Sequence, residues 1–176
     1  MPTDIGPRIG LQGEKEFQNS IRAIGAQLKS LGNEMKAVTA EFSGNESSME
    51  ALSSKADVLR RSIEANANQM KTLTAQYNRQ VFELENLEDQ LTRVTQQFGA
   101  NSKEAAAAQN AYNKQAAAVS RLESDINRSR TTMAQYKNQL DQVEAQMNGT
   151  ADGADELGDS MTDAGNAADK SGRLFD

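Results

Sequence analysis

Apolar residues recur along most of this chain in steps that alternate between four and three residues, from Phe17 to Met147. Steps of this kind put the apolar side chains on one stripe of an α-helix, as in helices that pack side by side. The pattern predicts an all-α fold of long heptad-patterned helices, arranged as a coiled-coil hairpin or an elongated three-helix arrangement. The predicted packing seam consists of Phe17, Ile21, Ile24, Leu28, Leu31, Met35, Val38, Phe42, Leu52, Leu59, Ile63, Met70, Leu73, Tyr77, Leu84, Leu87, Leu91, Val94, Phe98, Tyr112, Val119, Leu122, Ile126, Met133, Tyr136, Leu140, Val143 and Met147.

Two short polar stretches interrupt this pattern, and each contains glycine and asparagine. These residues tolerate the left-handed backbone that often ends a helix, and capping-box sequences follow at Ser47 to Glu50 and Asn101 to Glu104. We favour turns here over frayed points in one continuous rod. The predicted helix breaks are Gly44, Asn45, Gly99 and Asn101.

The breaks divide the chain into predicted segments. Residues 1–13 form an irregular lead-in, and a coiled-coil region follows over 14–147. Its three helices are expected at about 14–42, 48–98 and 103–147. Residues 148–176 are rich in glycine and aspartate and predict a flexible acidic linker.

A minority of seam positions are polar. If the a positions of the heptad are the residues whose numbers divide by seven, they are apolar from Ile21 to Met147, whereas several d positions are not. Two interpretations stay open: tolerated imperfections of a solvated seam, or polar groups that select one helix register. The polar d positions are Asn45, Asn66, Gln80, Asn101, Gln115 and Ser129.

Charges beside the seam bear on helix orientation. A parallel, in-register homomer would bring Lys55 to Arg60 and Glu83 to Glu88, which are like-charged pairs. This favours antiparallel packing, which a hairpin of the second and third helices provides within one chain. The small residues that begin the third helix would then lie near Val94.

The composition offers little chemistry. The chain has no cysteine and no histidine, which excludes disulfides, thiolate nucleophiles and the common zinc sites. The densest carboxylate cluster, within 83–89, is typical of a solvated helix face, so no catalytic, cofactor or metal site is predicted. The net charge is −6 without a basic patch, and no stretch approaches 18 apolar residues. We therefore predict no enzyme, no nucleic-acid partner and no membrane segment.

The stretch IGLQGEKEFQNSIRAIGAQLKSLGNEMKAVTAEFSGN, residues 9–45, resembles the start of phage tail tape measure proteins, especially those of tailed phages and prophages of Gram-positive bacteria. The likeness lies in GEKEF, in the seam through LGNEMK and in the closing TAEF; the later FGANSKEAA segment is also similar.

The resemblance implies a structural virion protein that sets tail length, of which this chain is an N-terminal part. It implies the tail tube protein, tail assembly chaperones and tail-tip proteins as partners, a homo-oligomeric state, and a place in the phage tail after assembly in the host cytoplasm. The alternative function is a cytoplasmic or secreted coiled-coil hairpin of a signalling receptor or helical-bundle translocator.

Overall fold

A computed structural model describes the backbone of residues 11–172 and the side chains of residues 13–152. It contains three α-helices and, within the described residues, no strand: α1 (Leu11–Glu41), α2 (Met49–Phe98) and α3 (Lys103–Gly172). The predicted all-α class is confirmed. Residues 1–10 of the predicted lead-in lie outside the described residues.

Two helix ends differ from the prediction. α1 begins at Leu11, three residues before position 14, and α3 runs past position 147 to Gly172. The last segment lacks proline, and no glycine of α3 has a positive φ among the described residues, so its backbone is compatible with a continued helix. Glycine lowers helix propensity by about 1 kcal/mol per residue without forbidding the conformation. The Gly/Asp-rich composition that predicted a linker therefore does not terminate α3.

Both interhelical connections contain a glycine in the left-handed region. The φ of Gly44 is 85° and that of Gly99 is 87°, a conformation that strains residues with a Cβ. Asn45 and Asn101 lie in the same connections, and neither has a positive φ. Glycine therefore supplies the left-handed residue at both connections.

Serine residues cap the helices that follow. The Ser48 hydroxyl accepts a hydrogen bond from the Ala51 amide at 3.2 Å, and the Ser102 hydroxyl accepts one from the Ala105 amide at 3.0 Å. The caps therefore stand one residue after the positions that the capping-box sequences indicated, Ser47 and Asn101. The reason is local: α2 begins at Met49 and α3 at Lys103, which makes the serine before each helix the N-cap.

The first connection carries one further side-chain contact. The Gly44 amide donates a hydrogen bond to a Glu46 carboxylate oxygen at 2.9 Å. This bond to the charged form is the main cause that lowers the pKa of Glu46.

Contacts divide the chain into two units, and each unit draws on all three helices. The first comprises Met1–Lys29 and Glu64–Ala134, the second Ser30–Ile63 and Gln135–Asp176. In the first unit the contacts show that α2 and α3 run antiparallel. Asn66 bonds Ser129, and the later α2 residue Gln80 bonds the earlier α3 residue Gln115. In the second unit ion pairs join α2 to each of its neighbours, Arg61 to Glu34 and Arg60 to Glu144.

Candidate functional site

The predicted seam lies along the interior of both units, and its burial varies. Most of its side chains are half-buried, as expected where helices are few and the core is thin. Phe98 departs from the prediction, because it is the last residue of α2 and 52% of it is exposed. The fully buried seam residues are Leu31, Leu52, Leu59, Leu73, Leu87 and Leu122.

A second buried stripe on α2 escaped the sequence reasoning. Ala51, Val58 and Ala65 are spaced by seven residues and are at most 2% exposed. In the heptad count they occupy c positions, away from the a and d seam. α2 thus buries side chains outside its a and d seam as well. The signal was present, since small apolar residues repeat at this spacing, but alanine and valine at c are also common on solvated faces.

The four polar d positions inside the helices are partners of one another. In the first unit the Asn66 amide donates to the Ser129 carbonyl at 3.1 Å, and the Ser129 hydroxyl donates to the Asn66 side-chain oxygen. The Gln115 amide nitrogen lies 2.8 Å from both the carbonyl and the side-chain oxygen of Gln80. No buried side-chain N or O atom lacks a hydrogen-bond partner among the described residues.

These two polar pairs share one register. They stand fourteen residues apart on each helix, from 66 to 80 on α2 and from 115 to 129 on α3. A slip of one heptad would set Asn66 opposite Leu122 or Tyr136 and leave the polar groups unpaired. Each buried group without a partner costs about 1–3 kcal/mol. The pairing therefore supports the interpretation that these residues select one register over its neighbours.

In the first unit α1 packs on α2 with its N-terminal end beside Arg79. Glu14 accepts a hydrogen bond from the buried Gln76 amide at 3.0 Å, and the Arg79 guanidinium lies 3.4 Å from where a Cβ on Gly13 would stand. Along α1, Ile21 and Leu28 face a groove between α2 and α3. We call it the occupied groove; it is also lined by Gln69, Leu73, Asp125 and Ser129.

On the α2 stretch that follows Arg79, the described residues show α2 packed against α3. Between them lies a mainly apolar cavity of about 350 Å³, lined within the described residues by α2 and α3 alone. Phe82, on the same stretch of α2, is 63% exposed. We call this cavity the open groove; its apolar lining is Leu87, Val94, Phe98, Ala107, Ala108 and Ala111.

Electrostatic contacts of the second unit lie at its surface. The Arg61 guanidinium meets the Glu34 carboxylate with two nitrogens, and this hydrogen bonding raises the pKa of Arg61. Arg60 bonds Glu144 at 2.8 Å, with both side chains largely exposed. Such exposed pairs contribute about 0–1 kcal/mol each, so they orient the helices more than they stabilise them.

Within the described residues, no group of three or more acidic side chains is placed to hold a metal ion. None of the described helices has a window long and apolar enough for a membrane span.

Comparison of the chain with protein-family models, with characterised proteins and with solved structures found no significant match.

Proposed function

We propose that this chain is the N-terminal helical part of a tail tape measure protein, a structural virion component that occupies the tail tube lumen and sets the length of a phage tail. The proposal includes a non-enzymatic role, assembly in the host cytoplasm and a homo-oligomeric state. Its partners would be the tail tube protein, tail assembly chaperones and tail-tip proteins. It extends the resemblance carried by residues 9–45.

The observation that favours a ruler is the length of uninterrupted helix. α1, α2 and α3 contain 31, 50 and 70 residues, and only two connections interrupt the helical backbone between Leu11 and Gly172. A helix rises about 1.5 Å per residue, so α3 alone is about 105 Å long. A helical chain converts residue number into distance at a constant ratio, which is what a length standard requires.

The antiparallel pairing of α2 and α3 would shorten the distance that a ruler of this length can span. Two helices that pair in antiparallel fashion span the same distance twice, whereas helices placed end to end add their lengths. We propose that the hairpin opens inside the tail tube, so that every residue contributes to tail length. The polar pairs are compatible with opening, because their amides and hydroxyls can exchange protein partners for water.

Heptad insertion in the encoding phage tests the role and the opening together. Repeating residues 84–90 twice more in α2 and 105–111 twice more in α3 adds 28 residues and preserves the seam phase and the hairpin pairing. An open chain lengthens the tail by about 42 Å, and a retained hairpin by about 21 Å, as measured by electron microscopy.

A control variant separates length from stability. Asn66→Ala removes the buried side chain that bonds Ser129 without changing the residue count, so tail length should stay at the wild-type value. Tails of unchanged length in the insertion phage would refute the tape measure role. An increase near 21 Å would keep the role and reject the opening.

A further inference from the structure

We propose that the connection 99–102 is a conformational switch with a second, helical state, in which α2 and α3 join into one helix and α3 is exchanged with a second copy of this chain. This inference rests on the proposed function in one respect: it names how the hairpin opens and what replaces the contacts that opening breaks. It starts from the four residues, Gly99 to Ser102, that connect α2 to α3 in the first unit.

The backbone of this connection already contains helical hydrogen bonds. The Gly99 amide donates to the Thr95 carbonyl at 3.0 Å, the four-residue step of an α-helix, and the Ser102 amide donates to the Gly99 carbonyl at 3.2 Å, the three-residue step of a 3₁₀-turn. Of the four residues only Gly99 has a positive φ, and no atom lies within 4 Å of where its Cβ would stand. Gly99 is therefore the one residue of the connection that must leave the left-handed region for the helix to continue.

The sequence keeps its apolar phase across the connection. Phe98 ends the stripe of α2, and Ala105, which is 4% exposed, begins that of α3 seven residues later. One continuous helix needs this spacing to keep a single apolar face, whereas two helices joined by a turn do not. No proline lies in the connection to stop a helix. A helix that runs from α2 into α3 would thus carry one stripe in a single phase.

The contacts of the hairpin identify the partner of the joined helix. The pairs Asn66 with Ser129 and Gln80 with Gln115 are both centred on the point between positions 97 and 98. Two antiparallel copies related by a two-fold axis at this point place the same residues opposite each other. Asn66 would then bond Ser129 of the partner subunit, so the polar pairs that favour one register within a chain would favour it between chains.

The exchanged state also buries a side chain that the hairpin leaves exposed. Phe98 is 52% exposed at the end of α2. Because it stands beside the two-fold axis, the joined helices would bring its two copies together across the seam. The opposing costs are the helical conformation of a connection that contains glycine, asparagine and serine, and the association of two chains. Hairpin and exchanged dimer therefore compete, and protein concentration and the sequence of the connection decide between them.

Gly99→Ala should shift this competition towards the exchanged dimer. Alanine strains the left-handed turn and favours the helix, and helix propensity alone contributes a factor of about five per chain, or about 25 for the two connections of a dimer. After refolding, sedimentation equilibrium of the full chain over about 1 to 200 μM should give a dimer dissociation constant at least tenfold below that of the wild type. The matched control is Gly32→Ala, the same change at an exposed position inside α1, which should leave this constant unchanged.

Spin labels distinguish exchange from simple association. The chain has no cysteine, so Asn78→Cys and Ala117→Cys, both at exposed positions, add one labelled pair that is centred on the same point as the polar pairs. In the hairpin these positions lie at the same level of two helices about 8–10 Å apart, whereas a joined helix separates them by about 58 Å. Labelled Gly99→Ala, refolded with a large excess of unlabelled chain, should show the long distance within one copy, with its helix content by circular dichroism retained.

A second variant tests the position of the axis. Phe98→Glu places two carboxylates beside each other there, and it should raise the dissociation constant of the Gly99→Ala dimer at least tenfold. A Gly99→Ala chain that is monomeric at all concentrations, a dimer with a short label distance within one copy, or a dimer that Phe98→Glu leaves intact would overturn the exchange. These outcomes leave the tape measure role to the tail lengths of the insertion phage, and unchanged tails would reject that role without bearing on the exchange.

Discussion

The pair formed by Asn66 and Ser129 gives the sharpest test of how α2 and α3 recognise each other. Asn66 is fully buried and Ser129 is 5% exposed, and two hydrogen bonds join them. Asn66→Leu keeps a side chain of similar length but leaves the Ser129 hydroxyl with only the Gln69 side-chain oxygen, 3.4 Å away. Ser129→Ala leaves the Asn66 oxygen without its donor.

The expected magnitudes follow from what each variant leaves unpaired. Each single substitution should lower the free energy of unfolding by about 1–3 kcal/mol, because one buried polar group loses its partner. The double variant Asn66→Leu/Ser129→Ala replaces both partners with apolar groups, so its free energy of unfolding should lie within about 1 kcal/mol of wild type. The coupling energy, the sum of the two single losses minus the loss in the double variant, should therefore be at least about 1 kcal/mol.

Urea unfolding followed by circular dichroism at 222 nm measures these differences, with the m-value as a check on cooperativity. Asn68→Leu is the matched control, because Asn68 is exposed two residues away and its substitution should change stability by less than about 0.5 kcal/mol. Additive effects of the two single substitutions would refute the coupling, and with it the argument that this pair selects the register.

Two further predictions concern the connections. Gly99→Ala should destabilise the fold by about 1–2 kcal/mol because φ is positive there, although no atom lies within 4 Å of the added Cβ. Gly32→Ala, in open space inside α1, should instead stabilise the fold by about 0.5–1 kcal/mol. Shifts of the thermal denaturation midpoint in the same direction for both variants would contradict this. Ser48→Ala should lower the free energy of unfolding by about 1 kcal/mol through loss of the N-cap, and Ser47→Ala by much less. Equal losses for the two variants in urea titrations would contradict the assignment of Ser48 as the N-cap.

The helices could be predicted because their signals are local. No proline follows Pro7, the apolar steps of three and four indicate helix, and glycine marks both connections. The misplaced end of α3 has a physical cause. A Gly/Asp-rich composition lowers helix propensity but does not terminate a helix, so position 147 was the wrong place to end α3. Each cap stands one residue later than predicted because two capping residues are adjacent at each connection, Ser47 and Ser48 at the first and Asn101 and Ser102 at the second.

The pairing of helices depended on information that is not local. A heptad stripe shows that one face of a helix is apolar, but it does not say which helix covers that face. The burial of Val58 on a c position shows that α2 is covered on more than the face predicted from its a and d positions. Likewise, the interpretation of Asn66 stayed open until its partner 63 residues away was known.

The open groove shows the same division at the level of surfaces. Periodicity placed Leu87, Val94 and Phe98 on a buried stripe, because the pattern is the same there as it is beside α1. Leu73 and Leu87 of that stripe are buried, whereas Phe98 is half exposed, so one and the same pattern does not give one and the same burial. Local propensity and side-chain spacing specify helices and their apolar faces, whereas burial depends on which other segments reach them, a property of the whole packed chain.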